Sequence, residues 1–163
     1  MNHLISQIAT LGREQVLKHL KSKGIQPDKE DIITDRDTRA RFYLVISTKR
    51  YKSIDTSKCT GMNDKRIATI EEKVKKLNAD GAYLVFVDAK LGICYGGYLS
   101  KLQQPKEFDG IRWPLTQVGP AGRITYWSVF HMQTLFTLDA AVVSKLDELG
   151  SDNKYDKTQG KLF

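Results

Sequence analysis

The chain has 163 residues and a formal net charge of +7 at pH 7, with 40% hydrophobic and 28% charged residues. This length suits one folded domain rather than two, and no apolar run approaches the roughly 18 residues that predict a membrane span. The first six residues lack the charged head and long apolar middle of a secretory signal, so we expect a cytoplasmic protein.

The domain organisation is simple. We expect a single domain over residues 1–150, followed by a polar C-terminal tail over 151–163. Cys59 and Cys94 form neither a disulfide framework nor a metal-ligand spacing, which favours two free thiols.

The first half of the chain predicts a helix and two strands. Apolar periodicity predicts a helix over residues 4–22 with a change of phase near Gly12, so either two short helices or one bent helix fits. A short edge strand around Ile32 follows and ends in the polar turn 34–38. The apolar run that begins at residue 41 then predicts a buried strand, 41–49.

A second helix is predicted over residues 64–78, with Asn63 as its N-cap. Its apolar residues recur at spacings of 3, 4 and 3, which predicts one stripe packed on a sheet. The rest of the chain predicts a buried strand over 82–87, its hairpin partner over 93–99, a Gly- and Pro-rich connection over 103–123, a strand over 124–130 and a helix over 138–149.

The end of the strand 41–49 carries candidate chemistry. Side-chain alternation places Ser47 and Lys49 on one face of this strand, and the preceding turn supplies Asp35 and Asp37. Carboxylates can hold a divalent metal ion, and a lysine beside them can steady the attacking water or the phosphate. This pattern therefore favours a metal-dependent phosphodiesterase site.

The order of these elements resembles the PD-(D/E)XK nuclease superfamily, in particular its Holliday-junction-resolvase-like and restriction-endonuclease-like members. The resemblance covers roughly residues 10–100 and includes the Gly12-Arg13-Glu14 start of the first helix and the Ser47-Thr48-Lys49 motif. It implies an α/β fold with a restriction-endonuclease-like core, in which helices flank a central mixed sheet. It also implies a Mg²⁺ or Mn²⁺ cofactor and a homodimer.

The same resemblance implies roles for individual residues. Asp37, Lys49, Glu71 and Glu14 are the expected catalytic residues, and Asp35, Asp37 and Glu71 are the expected metal ligands. Ser47 departs from the family pattern, because most members have a carboxylate at that position. A metal ion held by oxygen atoms needs more than one anionic ligand, so an acid from a helix, Glu71 or Glu14, would have to replace it.

Basic residues are concentrated after the candidate site. Residues 49–76 contain nine Lys or Arg against four acidic residues, which gives +5 of the net +7. Such an excess predicts contacts with the phosphate backbone of a nucleic acid, and DNA is the first candidate. The expected contact residues are Arg50, Lys52, Lys58, Lys65 and Arg66.

Two functions therefore remain open. The first is a metal-dependent endonuclease that hydrolyses DNA phosphodiester bonds. The alternative is a catalytically inactive nuclease-fold protein that binds nucleic acid, or that acts as a regulator whose basic face binds an acidic protein. The missing acid at Ser47 is the feature that keeps the alternative open.

Overall fold

The computed structural model describes residues 2–48, 59–102, 124–128 and 132–151. Its elements are α1 (Asn2–Ser22), β1 (Ile32–Thr34), β2 (Arg41–Thr48), β3 (Cys59–Asn63), α2 (Asp64–Lys76), β4 (Gly81–Asp88), β5 (Ile93–Tyr98), α3 (Leu99–Leu102), β6 (Ile124–Ser128), β7 (Gln133–Thr137) and α4 (Ala140–Ser151). The predicted connection 103–123 and nearly all of the predicted tail lie outside the described residues.

The main sheet has five strands in the order β1-β2-β4-β5-β7. Only β2 and β4 are parallel, and each of the other neighbouring pairs is antiparallel. The predicted α/β class, with a central mixed sheet flanked by helices, is confirmed. Strands β3 and β6 pair separately as a two-stranded antiparallel ribbon.

Both faces of the main sheet are covered, which explains why its central strands are almost continuously apolar. On one face, Leu44 and Val85 pack in a core cluster with Val16 of α1 and Leu146 of α4. The opposite face has its own cluster, whose members include Val45 and Leu84 from the sheet, Ile67 from α2 and Trp127 from β6. The described residues thus form two apolar cores, one on each side of the main sheet.

Helix α2 runs antiparallel to strand β2. Its N-cap Asn63 accepts a hydrogen bond from the backbone N–H of Arg66 at 2.8 Å, as the sequence predicts. At its other end, Arg41 Nη1 donates to the carbonyl oxygens of Leu77 and Asn78 at 3.5 and 3.2 Å. Since Arg41 is the first residue of β2, α2 ends where β2 begins and starts where β2 ends.

We call the sheet edge at which β2 and β4 end, at Thr48 and Asp88, the carboxyl edge, and the opposite edge, at Arg41 and Gly81, the amino edge. Helix α1 also runs from the carboxyl edge to the amino edge, on the other face of the sheet from α2. It is one continuous helix, so the change of phase in its apolar stripe does not divide it.

Three short elements were not predicted. Strand β3 lies between the predicted strand 41–49 and the predicted helix 64–78, β7 lies between the predicted last strand and last helix, and α3 is a single turn. None of the helices in the described ranges combines the length and hydropathy needed to cross a bilayer.

Candidate functional site

The carboxyl edge is the place where the candidate Ser-x-Lys motif ends its strand. Alternation from the core residue Val45 places half-buried Ser47 on the α2 face of the sheet, and Thr48 on the α1 face. Ser47 is paired in register with Phe86 of β4, two residues before Asp88. Lys49 lies outside the described residues.

The turn aspartates lie at the other end of the strand. Asp35 and Asp37 belong to the turn that joins β1 to the start of β2, at the amino edge. Six residues separate Arg41 from Ser47 along β2, which corresponds to about 20 Å. The structure therefore corrects the expectation that Asp35 and Asp37 stand beside Ser47: an antiparallel hairpin places its turn at the start of the second strand.

Asp35 has a clear local role in this turn. Its carboxylate accepts hydrogen bonds from the backbone N–H groups of Asp37 and Thr38 at 2.8 and 3.0 Å. These two bonds lower the pKa of Asp35 below its usual value. Asp37 is exposed and contributes its backbone N–H to the same motif. This turn needs the Asp35 carboxylate for its own stability.

Asp31 is the aspartate that the hairpin brings toward the carboxyl edge. It precedes β1, and its carbonyl accepts a hydrogen bond from the backbone N–H of Leu44, in the middle of β2. Its carboxylate Oδ1 lies 2.6 Å from Arg13 Nη2 of α1, in a half-exposed ion pair. The pairing of a short hairpin with its turn near residue 37 was the sequence signal that could have selected Asp31.

Asp88 is a second carboxylate that sequence analysis did not assign to the site. It ends β4 at the carboxyl edge and is 1% exposed. Its Oδ1 accepts hydrogen bonds from the backbone N–H groups of Lys90 and Leu91 at 3.0 and 3.2 Å, and Tyr95 Oη lies 3.5 Å from its Oδ2. Asp88 is thus engaged in the turn between β4 and β5.

The two candidate glutamates lie on opposite faces of the sheet. Glu14 is exposed on α1, two residues after Gly12, which packs against Thr48 at the carboxyl edge. Glu71 is exposed on α2, about 10 Å along the helix from its first residue. The structure therefore does not bring the two glutamates together.

Two of the predicted nucleic-acid contacts are described, and both lie at the carboxyl edge. Lys65 and Arg66 are exposed in the first turn of α2, which starts at this edge. The other three, Arg50, Lys52 and Lys58, lie outside the described residues. Asp64 is the one acidic residue in the same turn.

The described residues do not fit the expected metal ion. Within residues 2–48, 59–102, 124–128 and 132–151, no group of three or more His, Cys, Asp or Glu side chains is placed to hold one. Asp31 is paired with Arg13, and Asp88 is bound to backbone N–H groups. Mg²⁺ needs several oxygen ligands, and these residues alone do not supply them.

Comparison with known proteins identifies no family. No protein-family model and no curated protein matches the chain. Among solved structures, Hjc, a Holliday junction resolvase from the archaeal hyperthermophile Archaeoglobus fulgidus, is similar over 89% of this chain and 97% of that chain, with 8% sequence identity and a TM-score of 0.44. At this identity and score, the activity of the resolvase does not carry over to this chain.

Proposed function

We propose that this protein binds nucleic acid, with DNA as the first candidate, across the carboxyl edge. The observation that carries the proposal is the pair of exposed cations, Lys65 and Arg66, in the first turn of α2. The positive end of the helix dipole disfavours cations at this position. The phosphate groups of a nucleic acid at the same edge would form ion pairs with both side chains and would interact favourably with the positive end of the helix dipole.

The surrounding charge supports the same partner. Residues 49–66, which run from the end of β2 into the start of α2, contain six Lys or Arg against two Asp. The net charge of +7 adds a long-range field that attracts polyanions to the whole molecule. Such binding depends steeply on salt, because each neutralised phosphate releases counterions.

The test removes the cations at the start of α2. We expect K65Q/R66Q to weaken binding to a labelled duplex at least tenfold at low salt, and to reduce the slope of log affinity against log salt by about two units. Fluorescence anisotropy at several salt concentrations measures both quantities.

K75Q/K76Q is the matched control, since it removes the same charge from the other end of the same helix, at the amino edge. We expect it to have the smaller effect. Equal losses in the two variants would show that only net charge matters, and affinity independent of salt would exclude the nucleic-acid proposal.

Hydrolysis is a second candidate, favoured by the position of Asp31 beside β2, the strand that leads into Lys49. In this proposal Asp31, rather than Asp35 or Asp37, is the acidic residue of the site, and Lys49 positions the attacked phosphate.

The cytoplasmic location and the homodimer stay predictions.

A nicking assay with Mg²⁺ over duplex, single-stranded and branched DNA separates the two candidates. Cleavage that is lost in D31N and K49A but kept in D37N would establish a nuclease. Salt-dependent binding without cleavage would leave nucleic-acid binding as the function of the carboxyl edge.

A further inference from the structure

A cavity of about 240 Å³ lies between the C-terminal half of α1 and the amino edge of the sheet. It is separate from the carboxyl edge and is on the opposite face of the sheet from α2. The side chains that matter for its chemistry are His19, Lys23, Asp35, Phe42, Tyr83 and Tyr98.

Three aromatic rings line the sheet side of this cavity. The centroids of Phe42 and Tyr98 are 4.8 Å apart with a tilt of 52°, and Tyr83 meets Tyr98 edge-on at 4.9 Å. On the helix side, the imidazole of His19 is held by stacking on Phe136, with centroids 4.3 Å apart. Aromatic surfaces on both sides favour a planar ring as the occupant.

Gly96 of β5 lets the ring of Tyr83 pack closely against the backbone. A Cβ atom at Gly96 would stand 3.1 Å from the ring of Tyr83 and 2.5 Å from the carbonyl oxygen of Leu84, so a side chain does not fit there. A Cβ atom at Gly81 would stand 3.6 Å from the ring of Phe42, which is an ordinary contact.

The charges of the cavity wall balance. Lys23 supplies one cation and Asp35 one anion, whose pKa is lowered by its two backbone hydrogen bonds. Burial and the charge of Lys23 lower the pKa of His19, so its imidazole is neutral at pH 7. Burial raises the pKa of Tyr83 to about 12, so its hydroxyl keeps its proton. The wall is mainly apolar, and its few charged groups balance.

We propose that this cavity binds a neutral planar heteroaromatic ring of nucleobase size that carries ring nitrogen acceptors. The volume fits one or two fused rings, since a cavity of about 150 Å³ already holds a benzene molecule. The protonated Tyr83 hydroxyl and the neutral imidazole of His19 offer hydrogen-bonding groups for the edge of such a ring. The ring can come from a free base or from an unpaired base of a nucleic-acid strand.

The test titrates the whole protein with adenine, with indole and with a short single-stranded oligonucleotide, by calorimetry and by the NMR signals of the His19 ring. We expect saturable adenine binding, with a Kd on the order of 0.1 to 1 mM for so small a ligand. Indole, which has the same shape but lacks the ring nitrogen acceptors, should bind at least fivefold more weakly. A larger His19 shift with the oligonucleotide than with adenine would assign the ring to a strand, and the reverse to a free base.

Thr34→Trp tests the location, because Thr34 is exposed and lines the cavity. We expect it to weaken adenine binding at least tenfold. Thr137→Trp, at an exposed strand position away from the cavity, should leave it unchanged. If T34W binds adenine normally, if no saturation occurs up to the solubility limit, or if indole binds as well as adenine, the proposal is wrong.

Discussion

Gly12 of α1 packs directly against Thr48 at the end of β2. A Cβ atom built on Gly12 would lie 1.8 Å from Thr48 Oγ1 and 3.0 Å from Thr48 Cβ. Since no side chain fits in that space, glycine is required here by packing. Among the described residues, Thr48 Oγ1 is also one of two buried side-chain polar atoms without a hydrogen-bond partner.

Gly12→Ala is therefore expected to lower the free energy of unfolding by about 1–3 kcal/mol, the usual cost of overpacking. At an open helix position the same change would stabilise the protein by about 1 kcal/mol, so the sign of the effect reports the contact. Urea unfolding followed by circular dichroism measures it.

Thr48→Ala supplies the control, because it removes the oxygen with which the new methyl group would collide. Alone it should be nearly neutral, and in the double variant it should restore at least half of the loss. A Gly12→Ala protein as stable as the wild type would contradict the close approach.

The positions of the site residues were only partly predictable from the sequence. Ser47 and Thr48 stand at the end of β2 as predicted, because an apolar run of that length defines its own strand, and Lys49 lies outside the described residues. Asp35 and Asp37 were predicted as site residues because they are close in sequence to β2. They are close to the start of this strand, whereas Ser47 lies at its end. Asp31 lies beside the middle of β2 because β1 and β2 pair around the turn 34–38, and the predicted hairpin could have indicated this.

At the scale of elements, the hairpin of β1 and β2 depends on an ionised side chain in its turn. The pKa of Asp35 is lowered from 3.8 by hydrogen bonds that form only in the fold. A carboxyl whose pKa is lower in the folded state contributes stability above its unfolded pKa and loses it as the pH falls through the folded value.

We expect Asp35→Ala to unfold at a lower temperature than the wild type at about pH 6, and this difference to shrink as the pH falls to about 2. Thermal unfolding at a series of pH values measures it. Asp37→Ala is the matched control from the same turn and should follow the wild type throughout. If the two variants behave alike at pH 6, the turn does not depend on the Asp35 carboxylate.

The long elements were predictable, and the short ones were not. The helical spacing of Ile67, Ile70 and Val74 predicts α2. The apolar runs of β2 and β4 are longer than a turn, so they predict strands. Strand β3 contains a glycine and few apolar residues, so only its pairing with β6 makes it a strand. Tertiary contact overrides local preference most easily in segments of three to five residues.

At the scale of the whole molecule, the two proposed sites occupy opposite ends of one sheet. The carboxyl edge is basic, and it combines α1, the end of β2, the end of β4 and the start of α2. The amino edge holds an aromatic cavity with balanced charge. Because separate side chains form each of them, one site can be altered without changing the charge of the other.

The order of strands in the main sheet also sets an order of assembly. Four of its five strands, together with α1 and α2, lie within residues 2–102, whereas β7 begins at Gln133. Strand β7 closes the connection from Tyr98 to Gln133 before it pairs with β5, and β4 closes a connection of similar length, from Thr48 to Gly81, before it pairs with β2. Loop closure of this length slows folding. During synthesis on the ribosome, the first 102 residues can therefore form a nearly complete sheet before β7 pairs with its edge strand β5.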